Sequence, residues 1–138
     1  MGKTYDQYCP IAMTLDIIGD RWTLLIIRDL YFGRRRFSDL LAASPGMSTK
    51  ILSERLKLLE SKGLIDRVVY SEHPLRAEYR LTERGTSLEP VLNAIGEWGL
   101  QHLIPAREAE ALRVKIDAAR PRRTPQTRRK AGAATLAS

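Results

Sequence analysis

Between residues 8 and 104 the apolar positions fall into short periodic runs, separated by glycine, proline and polar turn residues. In "CPIAMTLDIIG", Ile11, Leu15 and Ile18 recur at helical spacing, with Pro10 suited to a first turn and Gly19 to a stop. Asp20 can cap the next helix. In "DRWTLLIIRDLYFG", Trp22, Leu25, Ile26 and Leu30 share one stripe, and Leu24 and Ile27 widen it. That predicts the most buried helix of the chain, ended by Gly33. "RRRFSDLLAAS" carries Phe37, Leu40 and Leu41 at the spacing of a short helix. "PGM" then turns the chain, and Ser48 can cap a leucine-rich helix that stops at Gly63.

Beyond Gly63 the period changes. "LIDRVVYS" is rich in β-branched residues, and "RAEYRLT" alternates, with Ala77, Tyr79 and Leu81 on one face. The two predict a hairpin with its turn around residues 72–76. Thr82 can cap a last helix bearing Leu88, Leu92, Ile95 and Trp98, and Pro90 inside that stripe predicts a kink near Thr86. No internal repeat is visible. The order is helix, helix, short helix, turn, helix, hairpin, helix, so the predicted fold is mainly α with a small β-hairpin: a winged helix-turn-helix. A two-stranded hairpin is marginal alone and has to pack on the helices.

The helix after Ser48 keeps its leucines on one side. With Leu52 at zero, Leu56 falls at about 40° and Leu59 at about −20°, with Ile51 and Leu58 at about −100 to −120°. Lys50, Ser53, Glu54 and Lys57 lie opposite, and Thr49 sits on a shoulder. A recognition helix reads bases from its N-terminal half; here that half holds Ser48, Thr49, Lys50 and Ser53. Lysine can donate to guanine O6 and N7, and hydroxyls serve donors or acceptors. Taken alone, the same pattern describes any amphipathic helix with a solvated face; the order of the surrounding elements favours DNA. Arg55 lies nearer the leucine side, which suits a structural pair. Arg34 and Arg35, ahead of the short helix, suit phosphate contacts, with Lys57 as a further cation, and Arg36 is placed to partner Phe37 structurally. Arg76, at the hairpin tip, can enter a minor groove, whereas His73 reads as an exposed loop histidine.

Charge adds one feature. Six of the 23 bases and none of the 16 acids lie from Arg120 onward, so nearly all of the formal +7 belongs to the segment "ARPRRTPQTRRKAGAATLAS". Residues 105–138 are therefore expected to be a basic extension without fixed structure, either solubilising or phosphate-seeking. The start, "MGKTYDQYCP", has no apolar core, and Asp6 breaks the myristoylation pattern; with no long apolar run, the chain is expected to be cytoplasmic and free of membrane. Cys9 is the one cysteine, and His73 and His102 are far apart in sequence, so no disulfide, metal site or cofactor is expected. No glycine-rich phosphate loop, carboxylate pair or Ser/His/Asp arrangement points to an enzyme.

These segments resemble the HxlR-type winged-helix transcriptional regulators, relatives of the MarR type. The resemblance is carried in order by "CPIAMTLDIIGDRWTLLIIRDL", "RRFSDLL", "PGMSTKILSERLKLLESKGLIDRVVY", "AEYRLTERG" and "EWG", over about residues 8–102. It implies a homodimer paired through N- and C-terminal helices, here around Cys9 to Ile18 and Leu88 to Leu103. Each subunit would place one recognition helix in the major groove of a pseudo-palindromic operator. Cys9 matches the cysteine of the family's "CP" motif, which senses oxidants or electrophiles in some members. With no second cysteine, sensing would run through alkylation, a small-thiol adduct or a bond between subunits; the other reading is a packed thiol at a helix start. The expected function is a dimeric, sequence-specific DNA-binding regulator, a repressor rather than an activator, with the small-molecule effector unspecified. The alternative is a winged-helix module that binds another protein and reads no DNA.

Overall fold

The computed structural model describes residues 8–121. The elements run α1 (Pro10–Ile18), α2 (Thr23–Tyr31), α3 (Phe37–Ala43), α4 (Thr49–Ser61), β1 (Ile65–Glu72), β2 (Leu75–Leu81), α5 (Glu83–Thr86), α6 (Glu89–His102) and α7 (Ala106–Ala119). The helices up to α4 begin and end where the local chemistry directs. Pro10 occupies the first turn of α1, and the Gly19 N–H closes it on the Leu15 carbonyl at 2.7 Å. The Asp20 carboxylate accepts from the backbone N–H of Trp22 at 2.9 Å and of Thr23 at 3.1 Å, satisfying donors that open α2. After α2, Gly33 takes φ 95°, a conformation that glycine adopts without strain. The Ser48 hydroxyl caps α4 by accepting from the Ile51 N–H at 3.1 Å.

The core gathers Ile18, Ile26, Ile27, Leu30, Leu40, Met47, Leu52, Leu56, Leu59, Leu64 and Ile65. Helix α2 contributes Ile26, Ile27 and Leu30 to this cluster, as its wide apolar stripe predicts. The hairpin pairs antiparallel from Ile65↔Leu81 to Glu72↔Leu75, with an irregularity between Val69 and Ser71. Its inner residues Ile65, Tyr79 and Leu81 pack on the helical core, which supplies the burial that two strands lack by themselves. Thr82 ties the hairpin's end to its start: its N–H donates to the Leu64 carbonyl at 3.0 Å and its hydroxyl to the Gly63 carbonyl at 2.6 Å. The same hydroxyl accepts from the Gly85 N–H at 3.1 Å and so caps α5.

Two expectations need correction. Pro90 does not kink one long helix. The chain closes α5 at Thr86, passes through Ser87 and Leu88, and starts α6 at Glu89 with Pro90 in the first turn. A missing N–H costs nothing there, because first-turn donors have no intrahelical acceptor. Residues 106–119, expected within a structureless extension, form α7. "AREAEALRVKIDAA" is made largely of good helix formers, and α7 packs on α6 with Ala109 buried. The rest of that extension, 122–138, lies outside the described residues.

Candidate nucleic-acid interface

Helix α4 sits with Leu52, Leu56 and Leu59 buried and with Ile51 and Leu58 half-buried. Thr49, Lys50, Glu54 and Lys57 are exposed on the other side, and Ser48 is exposed at the start of the helix. Ser53 is half-buried because it lines a groove between α4 and the hairpin, together with Leu56, Lys57, Glu60, Arg67 and Tyr79. The outward row on α4 and the groove beside it therefore form one continuous polar surface. Lys50 and Lys57 have no ion-pair or hydrogen-bond partner among the described residues, so their ammonium groups are free for a ligand. Ser48 is partly committed: its oxygen serves the cap, and its hydroxyl proton remains to be donated.

The leucines of α4 pack with Ile26, Ile27 and Leu30 of α2 in the core, and Asp20 and Arg55 add a polar contact between α4 and the start of α2. Arg55 Nε lies 3.5 Å from Asp20 Oδ2, as its position near the leucine side predicts. Asp20 also accepts from the Thr23 hydroxyl, and Thr23 is fully buried. Partial burial pushes the Asp20 carboxyl up, but the Thr23 hydroxyl, the Trp22 and Thr23 amides and the Arg55 guanidinium outweigh it and hold it below the ordinary 3.8. The group that opens α2 thus also forms an ion pair with the recognition-helix candidate.

The three arginines ahead of α3 have separate placements. Arg34 Nη1 lies 3.2 Å from Asp29 Oδ1, and Arg28 Nε lies 3.0 Å from the same oxygen. Asp29 is only 1% exposed, so these two cations compensate a buried carboxylate. Arg34 is for that reason a partly neutralised phosphate candidate. Arg35 is exposed and its side chain is unpaired among the described residues, while its carbonyl accepts from the Tyr79 N–H at 2.7 Å. That bond fixes the arginine segment beside β2. Arg36 is exposed and its side chain too is unpaired among the described residues, so it is as open as Arg35. Arg76 is exposed near the hairpin tip, opposite Ser71 in the register, and His73 is exposed at the turn itself.

Arg67 belongs to this surface and was not among the sequence candidates. It pairs in register with Tyr79 and is in phase with Ile65, so it points to the hairpin face that meets the helices. Past the core it borders the groove opposite Lys57 and Glu60. The alternation of "LIDRVVYS" carried that signal, because Ile65 marks the inner face.

Cys9 is half-buried at the N-cap position of α1, and its carbonyl accepts from the Met13 N–H at 2.9 Å. Around it, Tyr8, Ile11, Met13 and Leu15 are exposed, and on α6 so are Ile95 and Trp98. No cluster among the described residues could hold a metal ion, and no described helix is long and apolar enough to cross a membrane.

A capped helix with a free polar face, a short helix before it with arginines at its start, and an antiparallel hairpin after it define a winged helix-turn-helix, the class of domain that binds DNA in transcription regulation. The HxlR-like helix-turn-helix family profile matches residues 17–107, and the chain belongs to that family. It is 47% identical over 91 residues to an HTH-type transcriptional regulator of Synechocystis sp., covering 66% of this chain and 67% of that one. Among solved structures, the reduced form of the transcriptional regulator YodB from B. subtilis superposes with a TM-score of 0.61 at 37% identity, covering 72% of this chain and 98% of that one. The redox regulator HypR in its oxidised form superposes with a TM-score of 0.65 at 34% identity, covering 70% of this chain and 100% of that one. The chain is a DNA-binding transcriptional regulator of the winged-helix type.

Proposed function

We propose that the chain acts as a homodimeric repressor on pseudo-palindromic operators. In this reading Lys50, Ser53 and Thr49 read base edges in the major groove, and Ser48 donates its remaining proton to a phosphate or base. Arg34, Arg35 and Lys57 bind phosphates, joined by Arg67 from the hairpin, and Arg76 enters the neighbouring minor groove. One observation carries the proposal: the leucines of α4 are buried while Thr49, Lys50 and Lys57 stand exposed beside an open groove. A helix committed to its own domain on one side and unpaired on the other is presented for docking. Repression needs only that the dimer occupy DNA a polymerase must use.

The pairing surface in this reading is α1 with α6. Ile11, Met13, Leu15, Ile95 and Trp98 are exposed apolar residues on helices that flank the domain, and a second copy would cover them. Two recognition helices roughly 34–36 Å apart would then meet successive major grooves. Cys9 lies at the start of that pairing helix, so an adduct there would act on the dimer geometry rather than on base contacts. The redox forms of the similar regulators support a thiol-modulated reading.

The test uses DNA selected by the chain from a random duplex pool. Lys50→Ala with Ser53→Ala is expected to abolish the preference for selected over scrambled duplex while keeping weak, salt-sensitive binding. An unchanged preference would exclude α4 as the reading element. Cys9→Ser is expected to keep DNA bound in the presence of a thiol-alkylating agent that releases the wild type.

A further inference from the structure

Arg21 sits between two committed neighbours. Asp20, before it, already accepts from the Trp22 and Thr23 amides and the Thr23 hydroxyl, and pairs with Arg55. Trp22, after it, is half-buried and packs against the core. Arg21 itself is exposed, and its guanidinium lies over the Trp22 ring, 5.1 Å from the centroid. It forms no ion pair with an acid among the described residues. The indole face attracts the cation but takes up no hydrogen-bond acceptor, so the guanidinium keeps its N–H donors for a ligand. A planar fork of donors held in one place suits a phosphate, because little side-chain freedom is left to lose on binding.

The helix-turn-helix pair fixes where that fork stands. A Cβ on Gly46, in the turn between α3 and α4, would lie 3.8 Å from Trp22 Cη2, so the indole under Arg21 abuts the turn from which α4 starts. Arg55 of α4 reaches the residue next to Arg21. With Leu52 at zero on the helical wheel, Arg55 lies at about −60°, whereas Ser53 and Lys57, which border the hairpin groove, lie at about 100° and 140°. The start of α2 and the hairpin therefore flank α4 on opposite sides. A helix seated in a major groove about 12 Å wide has a phosphate backbone on each side of it. The hairpin side presents Arg67 to one of them. On the other side Arg55 is taken by Asp20, and Arg21 is unpaired.

We propose that Arg21 is a further DNA contact, a phosphate clamp on the flank of α4 opposite the hairpin, held ready by its seat on Trp22. The proposal rests on the DNA-binding reading of α4 and adds the second backbone strand to it. The occupant is a duplex phosphate. A side chain that only covers Trp22 is the competing outcome.

The test uses the full chain carrying Arg21→Gln or Arg21→Lys. Binding to the selected duplex and to a scrambled one is followed by anisotropy over a range of salt, and folding by urea titration. Each phosphate neutralised contributes about 0.9 to the slope of log K against log salt. Arg21→Gln is expected to lower that slope by about 0.9 on both duplexes with an unchanged urea midpoint. Arg21→Lys, which keeps the charge, is expected to keep most of the slope. In ethylation interference, the phosphates that stop mattering in Arg21→Gln should lie across the major groove from those that stop mattering in Arg67→Gln. An unchanged slope overturns the proposal, and so do affected phosphates that coincide with those of Arg67. A slope loss shared by Arg21→Lys and accompanied by a lowered midpoint overturns it too, because Arg21 would then act by holding Trp22. Failure of the α4 reading is seen separately: Lys50→Ala with Ser53→Ala would leave the preference for the selected duplex unchanged.

Discussion

Replacing Asp20 by alanine probes three interactions at once, because this carboxylate opens α2, accepts from the Thr23 hydroxyl and pairs with Arg55 of α4. Loss of a capping side chain costs about 0.5–2 kcal/mol. Thr23 is fully buried, and losing the acceptor of its hydroxyl adds about 1–3 kcal/mol if nothing replaces it. The Arg55 pair is partly exposed, its side chains at 34% and 25%, so its share is only about 0.2–1 kcal/mol. These losses overlap, and about 2–4 kcal/mol is expected for Asp20→Ala. In a urea titration with a slope of about 2 kcal/mol/M, the midpoint falls by about 1–2 M. Asp20→Asn keeps one acceptor oxygen for the Trp22 and Thr23 amides but turns a donor toward the Thr23 hydroxyl and loses the Arg55 pair, so its midpoint is expected between those of wild type and Asp20→Ala. The difference between wild type and Asp20→Ala also depends on pH. The folded state holds the Asp20 carboxyl below 3.8, so its contribution is fully present above about pH 5 and is lost as pH drops through the lowered value. An Asp20→Ala midpoint within about 0.3 M of wild type at neutral pH refutes the reasoning, and so does a gap that widens in acid.

Arg34 and Arg35 should separate cleanly. Arg35→Gln lowers the salt slope of DNA binding by about 0.9 with an unchanged denaturation midpoint, whereas Arg34→Gln also lowers the midpoint, because it strips a cation from the buried Asp29. Gly85→Ala is expected to be strongly destabilising in thermal melts, by about 1–3 kcal/mol, since a Cβ there would lie 2.0 Å from the Leu64 carbonyl oxygen and would push α5 off the start of the hairpin. Trp98→Glu with Ile95→Glu is expected to yield a monomer by light scattering with its helical circular dichroism intact; a folded dimer would place the pairing surface elsewhere.

The elements legible in the sequence were those whose burial is decided locally. The stripe Ile26, Ile27 and Leu30, the alternation of Ala77, Tyr79 and Leu81, and the caps Asp20, Ser48 and Thr82 each carry their instruction within a few residues. The polar face of α4 was legible for the same reason, since the leucines fix which side is left over. The features that escaped depend on tertiary neighbours. Arg34 reaches Asp29 across the Gly33 turn, a five-residue separation that no helical rule anticipates. Helix α7 is the exception, legible in its own pattern and missed: Ala109, Leu112 and Ile116 recur at helical spacing and are covered, and Glu97 and Asn93 on α6 add polar contacts. Pro90 misled because a kink presupposes one continuous helix, and the same residue serves equally well at the start of a new one.

Ile95 and Trp98 take this distinction further. Periodicity set them on one stripe with Leu88 and Leu92, and in one chain that stripe divides: Leu88 and Leu92 pack on the core, while Ile95 and Trp98 stand exposed at 53% and 58%. A periodic apolar stripe reports that a face is to be removed from water and is silent on which molecule removes it. Where the core of a chain gives out before its stripe does, the remainder is the surface on which the proposed pairing rests. Ile95 and Trp98 are already about half covered, so a second subunit would recover roughly half of the 1.5–3 kcal/mol that full burial of a large apolar side chain contributes. The same logic, applied to charge, separates the cations of the surface: Arg28, Arg34 and Arg55 answer carboxylates within the fold, and Lys50, Lys57, Arg35 and Arg67 are unpaired among the described residues.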